Sequence, residues 1–272
     1  KKADLLRCHY CGFTQQPPSK CKSCGETDIR QYGFGTEKIE DELQIFFPEY
    51  NIARLDLDST RGKHAYSEII SRFETGETDI LVGTQMVTKG LDFDNVSLVG
   101  ILNADNLINF PDFRAYERSF QMLMQVSGRA GRKKEQGKVI IQSYNPGHTI
   151  LNLVVKNDFK SFINFEMSER KKFNYPPFSR LLEITVKGRD DSKTTQAADF
   201  LTKELKKQLP STLGPVTPPV SRIKNFYIKT ILIKFSRQAK LNDTRSMMLS
   251  AIDRFKINPV SKNIILQIDV DP

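Results

Sequence analysis

The stretch Gln125-Val-Ser-Gly-Arg-Ala-Gly-Arg132 places two arginines, Arg129 and Arg132, directly after a predicted amphipathic helix. An arginine carries a permanent charge and a planar fork of donors that matches phosphate oxygens, and a neighbouring glycine lets backbone and ligand approach closely. The spacing therefore predicts a phosphate-binding site. A structural interpretation stays open, in which both arginines stabilise the negative end of the helix and face solvent.

A polar loop upstream gives this stretch its context. Apolar residues 80–83 predict a strand, and the following loop contains Thr84, Gln85, Thr88, Lys89 and Gly90. Ligands bind at the carboxyl ends of parallel strands in open α/β sheets. The loop, the strand and helix after it, and the Gln-x-x-Gly-Arg-x-Gly-Arg segment resemble motifs V and VI of superfamily 2 helicases.

This resemblance implies roles for individual residues. Arg129 and Arg132 would reach the γ-phosphate of ATP across a cleft between two lobes, and Gln125 would orient them or the attacking water. The residues expected at the nucleotide are Gly90, Asp92, Gly128, Arg129 and Arg132, with Asp92 near the ribose or the cleft. The residues expected on the DNA-facing edge are Thr84, Gln85, Thr88 and Lys89.

The amino-acid composition favours a polyanionic partner. The 272 residues include 41 Lys plus Arg against 32 Asp plus Glu, which gives a net charge of +9 and a pI near 9.3. Charge alone is also compatible with a merely basic protein. The hydrophobic content of 39% suffices for one or two cores. Because the sequence contains neither a bilayer-length apolar run nor a signal peptide pattern, we expect a soluble, cytoplasmic protein.

Residues 1–29 contain all four cysteines, in two Cys-x-x-Cys-Gly turns. In a zinc knuckle the glycine relieves backbone strain where amide hydrogens point toward thiolate sulfur, and paired knuckles supply tetrahedral ligation. A disulfide framework is disfavoured in a cytosolic chain of this length, and a redox motif would not be doubled in a segment without strands around it. The predicted ligands of a structural zinc ion are Cys8, Cys11, Cys21 and Cys24, whereas His9 is predicted to be solvated.

Strands alternate with helices between residues 30 and 147. A helix follows the Gly33-Phe-Gly-Thr36 turn, with Glu37 in its first turn as a candidate cap; a purely structural turn is the alternative. Strands are predicted at 51–58, 79–83, 96–103 and 138–142, and further helices at 65–73 and 114–126. This alternation predicts an α/β fold with a parallel sheet wound by right-handed crossovers. The region resembles the second RecA-like lobe of a helicase.

Residues after 147 differ in character. The segment 148–178 is a predicted helical and proline-rich connector, in which Tyr175-Pro-Pro-Phe178 is extended because a residue before proline avoids the helical region. Residues 179–272 are predicted to form a smaller α+β domain. Its predicted elements are strands at 181–186, 227–235 and 264–270 and helices at 194–209 and 241–255.

Basic and aromatic residues adjoin in this last domain. Phe226 and Tyr227 could stack on unpaired bases while nearby cations hold the phosphate backbone. The alternating apolar residues between 227 and 235 also fit a buried strand face, which is the better account of most of these aromatics. We therefore predict DNA contacts for Arg222 and Lys224.

Several motifs together resemble the PriA family of primosomal replication-restart helicases. They are the cysteine knuckles before Gly-x-Gly-Thr-Glu, the helicase-like motifs, Tyr175-Pro-Pro-Phe-Ser-Arg180, Gly214-Pro-Val-x-Pro218 and the terminal Ile-Asp-Val-Asp-Pro272. The resemblance implies a bacterial 3′-to-5′ DNA helicase, expected to be monomeric, that uses ATP and Mg²⁺ at stalled forks. Its implied partners are branched and single-stranded DNA, single-strand binding protein and helicase-loading primosome proteins. It also implies that the last domain is similar to a small-subunit ribosomal protein.

The chain departs from the family in two ways. It lacks the two further Cys-x-x-Cys pairs and the Gly-x-x-x-x-Gly-Lys-Thr phosphate loop that the family carries upstream. We therefore expect a C-terminal fragment that does not hydrolyse ATP by itself. Family pairing would assign Cys8 and Cys11 to one zinc ion and Cys21 and Cys24 to another, whereas in this chain the four could close on one ion or hold none.

Two functions stay open at this point. In the first, residues 30–147 are half of an ATP motor. In the second, the chain is a non-catalytic, zinc-dependent DNA-binding scaffold for primosome partners. The complete motif VI favours the motor for the parent protein, whereas the missing phosphate loop favours binding alone for this chain.

Overall fold

A computed structural model describes residues 6–7, 14–20, 24–27, 35–60, 62, 64–84, 96–128 and 137–272. The helices are α1 (Thr36–Phe46), α2 (Ala65–Glu74), α3 (Asp105–Ile108), α4 (Ala115–Ser127), α5 (Thr149–Val155), α6 (Phe159–Lys172), α7 (Asp191–Lys206) and α8 (Leu241–Ile257). The strands are β1 (Leu6–Arg7), β2 (Thr14–Gln15), β3 (Ile52–Leu55), β4 (Ile80–Gly83), β5 (Leu98–Ile101), β6 (Lys138–Ile141), β7 (Ser179–Gly188), β8 (Thr212–Val216), β9 (Arg222–Ile223), β10 (Phe226–Ser236) and β11 (Ile265–Val270). The mixed α/β class is confirmed.

The chain divides into two compact units. One contains Asp28–Ile163, and the other contains Lys1–Thr27 together with Asn164–Pro272. None of the helices in the described ranges is both long and apolar enough to span a membrane.

Parallel strand pairs form the first unit. β3 pairs with β4 so that Leu55 lies opposite Gly83, and β5 pairs with β6 so that Ile101 lies opposite Ile141. Among the described residues these are two separate two-stranded sheets. Parallel neighbours need a crossover connection, which α2 provides between β3 and β4. Leu55 and Ile70 are buried together at the centre of this layer.

Helix α4 is anchored by one apolar face. Its buried residues are Ala115, Ser119, Phe120 and Leu123, the spacing of a single helix face. The Phe120 ring stacks on Phe162 of α6, with centroids 4.1 Å apart and 8° between the planes. This packing holds α4, the helix that precedes Arg129 in the sequence, in a fixed position.

An antiparallel sheet with strand order β11-β7-β10-β8 forms the second unit, and β9 pairs with β10. α7 packs against the sheet and α8 packs against α7. Ile184 of β7 lies opposite Ile231 of β10, and both are fully buried in this core. Alternate residues of β7, such as Thr185 and Lys187, are only half-buried on the other face.

Strand β8 explains the Gly214-Pro motif. Gly214 has a φ of +102°, in the region that favours glycine. A Cβ at this position would lie 2.9 Å from the backbone oxygen of Thr230, where the pairing of β8 with β10 shifts register. Any larger residue would force the two strands apart.

The prediction that Tyr175-Pro-Pro-Phe178 is extended is wrong. The Phe178 N–H donates to the Tyr175 carbonyl at 3.0 Å, and the peptide between Pro176 and Pro177 is cis. This is a turn with a cis-proline at its third position. Such a turn keeps the residue before proline out of the helical region just as an extended segment does.

The expectation of a cysteine segment without strands is also wrong. Leu6 lies opposite Gln15 and Arg7 opposite Thr14, so that β1 and β2 are antiparallel neighbours on either side of the first Cys-x-x-Cys turn. Strands of two residues are too short to produce an alternating pattern in sequence.

Candidate nucleic-acid interface

Arg222 and Lys224 lie on a tight hairpin between β9 and β10. Tyr227 lies opposite Arg222, so that Lys224 and Asn225 form the turn. Both turn residues have left-handed backbone angles, with φ of 48° and 66°, as a type I′ hairpin turn requires. Lys224 is therefore exposed at the tip of the hairpin.

Arg222 stacks on an aromatic ring of the neighbouring strand. Its Cζ lies 4.9 Å from the centre of the Tyr227 ring, and its Nη2 donates to Asn225 Oδ1 at 3.1 Å. These two contacts orient the guanidinium group. An exposed, oriented guanidinium group suits a phosphate.

Arg189 is a further cation of this hairpin, and sequence reasoning missed it. It follows Gly188, the last residue of β7, which lies opposite Tyr227. The Arg189 Cζ is 5.6 Å from the centre of the Phe226 ring. Only the register of β7 against β10 brings Arg189 to the hairpin, and no local motif in the sequence signals it.

Lys229 of β10 belongs to the same basic stretch but has a different role. Its Nζ lies 3.2 Å from Asp191 Oδ1 and donates to Thr217 Oγ1 at 2.9 Å. Its side chain is only 12% exposed. The Asp191 carboxylate offsets the charge of Lys229, so this lysine contributes little to attraction of a polyanion.

The end of α4 holds the described part of the predicted nucleotide site. Gln125 is exposed near this end, and Gly128 caps the helix, its N–H donating to the Met124 carbonyl at 3.0 Å. Gly128 has a φ of −70°, a conformation open to any residue. Arg129 and Arg132 lie outside the described residues, so their role stays a prediction.

Thr84 is exposed where β4 ends. Because Gly83 lies opposite Leu55, Thr84 and Asp56 follow the paired ends of two parallel strands at one edge. This is the edge at which open α/β sheets bind ligands. The other residues predicted for this loop lie outside the described part of the chain: Gln85, Thr88, Lys89, Gly90 and Asp92.

Asp56 organises this edge, a role that sequence reasoning did not assign to it. Its Oδ2 accepts Thr36 Oγ1 at 2.5 Å, and its Oδ1 accepts the N–H groups of Asp58 at 2.9 Å and Ser59 at 2.8 Å. Arg54 Nε lies 3.3 Å from Oδ2, at ion-pair distance without hydrogen-bond alignment. Burial raises the pKa of Asp56, but the hydrogen bonds and Arg54 outweigh it and hold this pKa below its usual value.

Cys24 is the predicted zinc ligand that falls within the described residues. It is exposed, and Gly25 after it has a φ of +74°, a region that glycine adopts at low cost. A thiolate followed by such a glycine suits a zinc knuckle. Cys8, Cys11 and Cys21 lie outside the described residues, which contain no group of three His, Cys, Asp or Glu able to hold a metal ion.

Two family models match the chain. The helicase conserved C-terminal domain matches residues 31–134, and the primosomal protein N C-terminal domain matches residues 171–272. The chain is also similar to proteins named Replication restart protein PriA, with 38% identity over 270 residues in Bacillus subtilis, 40% over 272 in Synechocystis and 38% over 275 in Treponema pallidum. The chain belongs to the PriA family. The resemblance inferred from the motifs is thereby confirmed.

The chain covers only part of these PriA relatives. The alignments include 98%, 98% and 100% of the chain but 33%, 32% and 41% of the three relatives. The helicase match includes Thr84, Gln125 and Gly128, whereas the β9–β10 hairpin lies within the primosomal match.

Proposed function

We propose that this chain is the C-terminal part of an ATP-dependent 3′-to-5′ DNA helicase that restarts stalled replication forks by primosome assembly. The observation that carries the proposal is the succession of a helicase C-terminal domain and a primosomal protein N C-terminal domain on one chain. The whole protein would act in the bacterial cytoplasm, with single-strand binding protein and helicase-loading proteins as partners.

For Arg129 and Arg132 we propose contacts with the γ-phosphate of an ATP molecule held by a second lobe. The anchored helix α4 supports this role, because residues directly after it begin from a fixed backbone. Guanidinium groups held in advance stabilise the charge that develops during phosphoryl transfer. Gln125, exposed near the end of α4, would orient them or the attacking water.

For the loop after β4 we propose contact with the DNA strand. The position of Thr84 at the carboxyl edge of a parallel pair supports this. Gln85, Thr88 and Lys89 continue the same loop, and the nearby Gly90 and Asp92 would face the nucleotide. One loop would then couple the nucleotide state to the grip on DNA.

For the cysteine segment we propose a structural zinc site with Cys8, Cys11, Cys21 and Cys24 as ligands. Four thiolates leave no position for a reactive water, so the ion would supply fold stability and no catalysis. The left-handed Gly25 after Cys24 supports the knuckle geometry.

We propose that the C-terminal domain is similar to a small-subunit ribosomal protein. We also propose that it binds DNA through Arg222 and Lys224. The exposed hairpin that carries both residues supports this. Contact would be made with the phosphate backbone, since nothing in the domain resembles a recognition helix.

The proposal is tested with Arg132→Ala in the full-length protein. DNA-stimulated ATP hydrolysis should fall by ~10³-fold or more, as expected of an arginine finger, while affinity for fork DNA stays near wild type. Arg72→Ala, on the surface of α2, is the control and should retain hydrolysis. An equal loss of DNA affinity would make Arg132 a DNA ligand, and unchanged hydrolysis would exclude it from the ATP site.

A further inference from the structure

Helix α4 leads into the segment that contains Arg129 and Arg132, but its buried side chains lie well before its end. The last of them is Leu123, and Gly128 caps the helix. From Phe120 to the cap the helix rises about 12 Å, so a tilt of about 5° at Phe120 moves the end by about 1 Å. The direction in which α4 delivers the two arginines therefore depends on the contacts made earlier in the helix.

Two aromatic rings of α4, one turn apart on the same face, make these contacts. The Tyr116 ring lies 5.7 Å from the His148 ring with 61° between the planes, and the Phe120 ring stacks on Phe162 at 4.1 Å and 8°. Phe120 and Phe162 are each 3% exposed. The Phe159 ring adds a tilted contact with Phe120 at 6.2 Å. Because aromatic pairs favour particular ring arrangements, these contacts fix the orientation of α4 as well as its distance.

The partner rings come from α6 and from the start of α5, within the segment predicted as a connector. His148 caps α5, since its Nδ1 accepts the Ile150 N–H at 3.2 Å. α5 packs against α4. The buried residues of α5 are Ile150, Leu151 and Val154. Residues 28–163, which include all of these contacts, belong to one compact unit.

Neither family model includes the residues that hold α4 in this way. The helicase match ends at residue 134 and the primosomal match begins at residue 171, so α5 and nearly all of α6 lie between them. A passive linker has no need to bury a stacked ring against the helix that precedes the arginines. The position of Phe162 therefore indicates a role beyond connection.

We infer that Phe162 is a positioning residue for ATP hydrolysis, because its stack on Phe120 sets the direction of α4 and thereby places Arg129 and Arg132 at the γ-phosphate. The inference rests on the proposed role of these arginines and adds how they are held. Phe162 touches no substrate and acts only through Phe120. Donors held in advance stabilise the developing charge, and a misplacement of about 1 Å reduces the rate by up to about 100-fold.

The test measures DNA-stimulated ATP hydrolysis by the full-length protein in the variants Phe162→Leu, Phe120→Leu and the combination of both. Leucine keeps an apolar side chain but removes the ring. Phe73→Leu on α2 is the matched control, since it removes a ring packed against the Leu55–Ile70 core of the same unit. Circular dichroism and thermal melting define a temperature at which every variant is folded, and the assays are run there.

Phe162→Leu should lower kcat by about tenfold or more and leave the KM for ATP within about twofold, because the other lobe holds the nucleotide. DNA affinity should stay near wild type. The combination with Phe120→Leu should be no worse than either single variant, since each alone removes the stack. Phe73→Leu should retain kcat within about twofold. Phe159→Leu, whose ring is more than half exposed, should lower kcat less, and it supplies the test if Phe162→Leu does not fold.

Three results would overturn the positioning role. They are a folded Phe162→Leu variant with wild-type kcat, an equal loss of kcat in Phe73→Leu, and single losses that multiply in the combined variant. Arg132→Ala is measured in parallel. Hydrolysis retained by Arg132→Ala would overturn the proposed role of the arginines and this inference with it, whereas hydrolysis lost in Arg132→Ala but retained in Phe162→Leu would overturn the inference alone.

Discussion

The hydroxyl of Thr36 donates a 2.5 Å hydrogen bond to the carboxylate of Asp56, joining the start of α1 to the end of β3. Arg54 completes the connection, since its Nε lies 3.3 Å from Asp56 and 3.5 Å from Glu40 of α1. Burial raises the pKa of Glu40. The Gly-x-Gly-Thr-Glu motif therefore connects the start of α1 to the end of β3. This connection lies at the sheet edge where Thr84 follows β4.

Replacing Asp56 by Asn should weaken the connection between α1 and the end of β3. The neutral amide keeps the size of the side chain but loses the charge-assisted hydrogen bonds, and a cost of about 2 kcal/mol in free energy of unfolding is expected. Urea denaturation gives the overall cost, and faster hydrogen exchange at the α1 amides locates it. Asp58→Asn, exposed two residues further on, is the matched control. Unchanged hydrogen exchange at the α1 amides of Asp56→Asn would show that Asp56 does not hold α1 against β3.

The Asp56 contribution should also depend on pH in a defined direction. Its folded pKa lies below the usual value of 3.8, so the stabilisation is fully present above pH 3.8 and is lost as the pH falls through the folded value. The difference in unfolding free energy between the wild type and Asp56→Asn should therefore be constant near neutrality and shrink in acid. A difference in unfolding free energy that grows in acid would contradict a lowered pKa of Asp56.

The elements that sequence periodicity predicted are long or strongly patterned. The helix predicted at 65–73 is α2 at 65–74, and the strand predicted at 227–235 is β10 at 226–236. The elements that the sequence did not predict have physical explanations. β1 and β2, with two residues each, are too short to show an alternating pattern of apolar and polar residues. The Tyr175–Phe178 turn is closed by a backbone hydrogen bond from Phe178 to Tyr175, and hydrophobic periodicity carries no signal for such a bond.

The residues of the candidate site also fall into two groups, those that lie together in the sequence and those that only the fold brings together. The neighbourhood of Arg222, Lys224 and the aromatic residues was predictable because these residues lie close together in sequence, whereas their contact with DNA stays a prediction. Arg189 was not, since its place at the hairpin depends on the register of β7 against β10. Asp56 was missed because its partner Thr36 is reached only after β3 and α1 pack together.

Lys234 should stabilise the turn between α6 and β7. Its Nζ lies 3.5 Å from the centre of the Tyr175 ring and donates to the Phe173 carbonyl at 2.9 Å. Lys234→Met keeps most of the stem but removes both interactions, so a loss of about 1–2 kcal/mol in free energy of unfolding is expected. Lys171→Met, exposed on α6, is the control. Equal unfolding free energies for the two variants would show that the ammonium group contributes nothing to the turn.

Zinc should be bound by thiolates alone and should stabilise only the cysteine segment. Elemental analysis of the reduced chain should find zinc, Cys24→Ser should lose it, and His9→Ala should retain it. The unfolding transition of residues 28–163 should be unchanged in Cys24→Ser. Zinc retained by Cys24→Ser, or absent from the wild type, would contradict this ligand set.

The 272-residue chain alone should show no DNA-stimulated ATP hydrolysis. Its predicted arginines need a nucleotide held by a phosphate loop, and no such loop occurs in this sequence. The measurement is phosphate release with and without single-stranded DNA, against a buffer blank. Turnover that disappears in Arg132→Ala would mean that the chain holds a complete ATP site.

DNA binding by the C-terminal domain should depend on salt and hardly at all on base sequence. The cations of the β9–β10 hairpin suit the phosphate backbone, and release of condensed counterions makes such affinity fall steeply as salt rises. Combining Arg222→Ala with Lys224→Ala should reduce the slope of log affinity against log salt by about one to two. Arg245→Ala with Lys262→Ala removes the same charge from exposed positions elsewhere in the domain and should change the slope less. A flat salt response of the wild type, or strong preference for one sequence over a scrambled fork of equal geometry, would show that the domain reads bases instead of backbone charge.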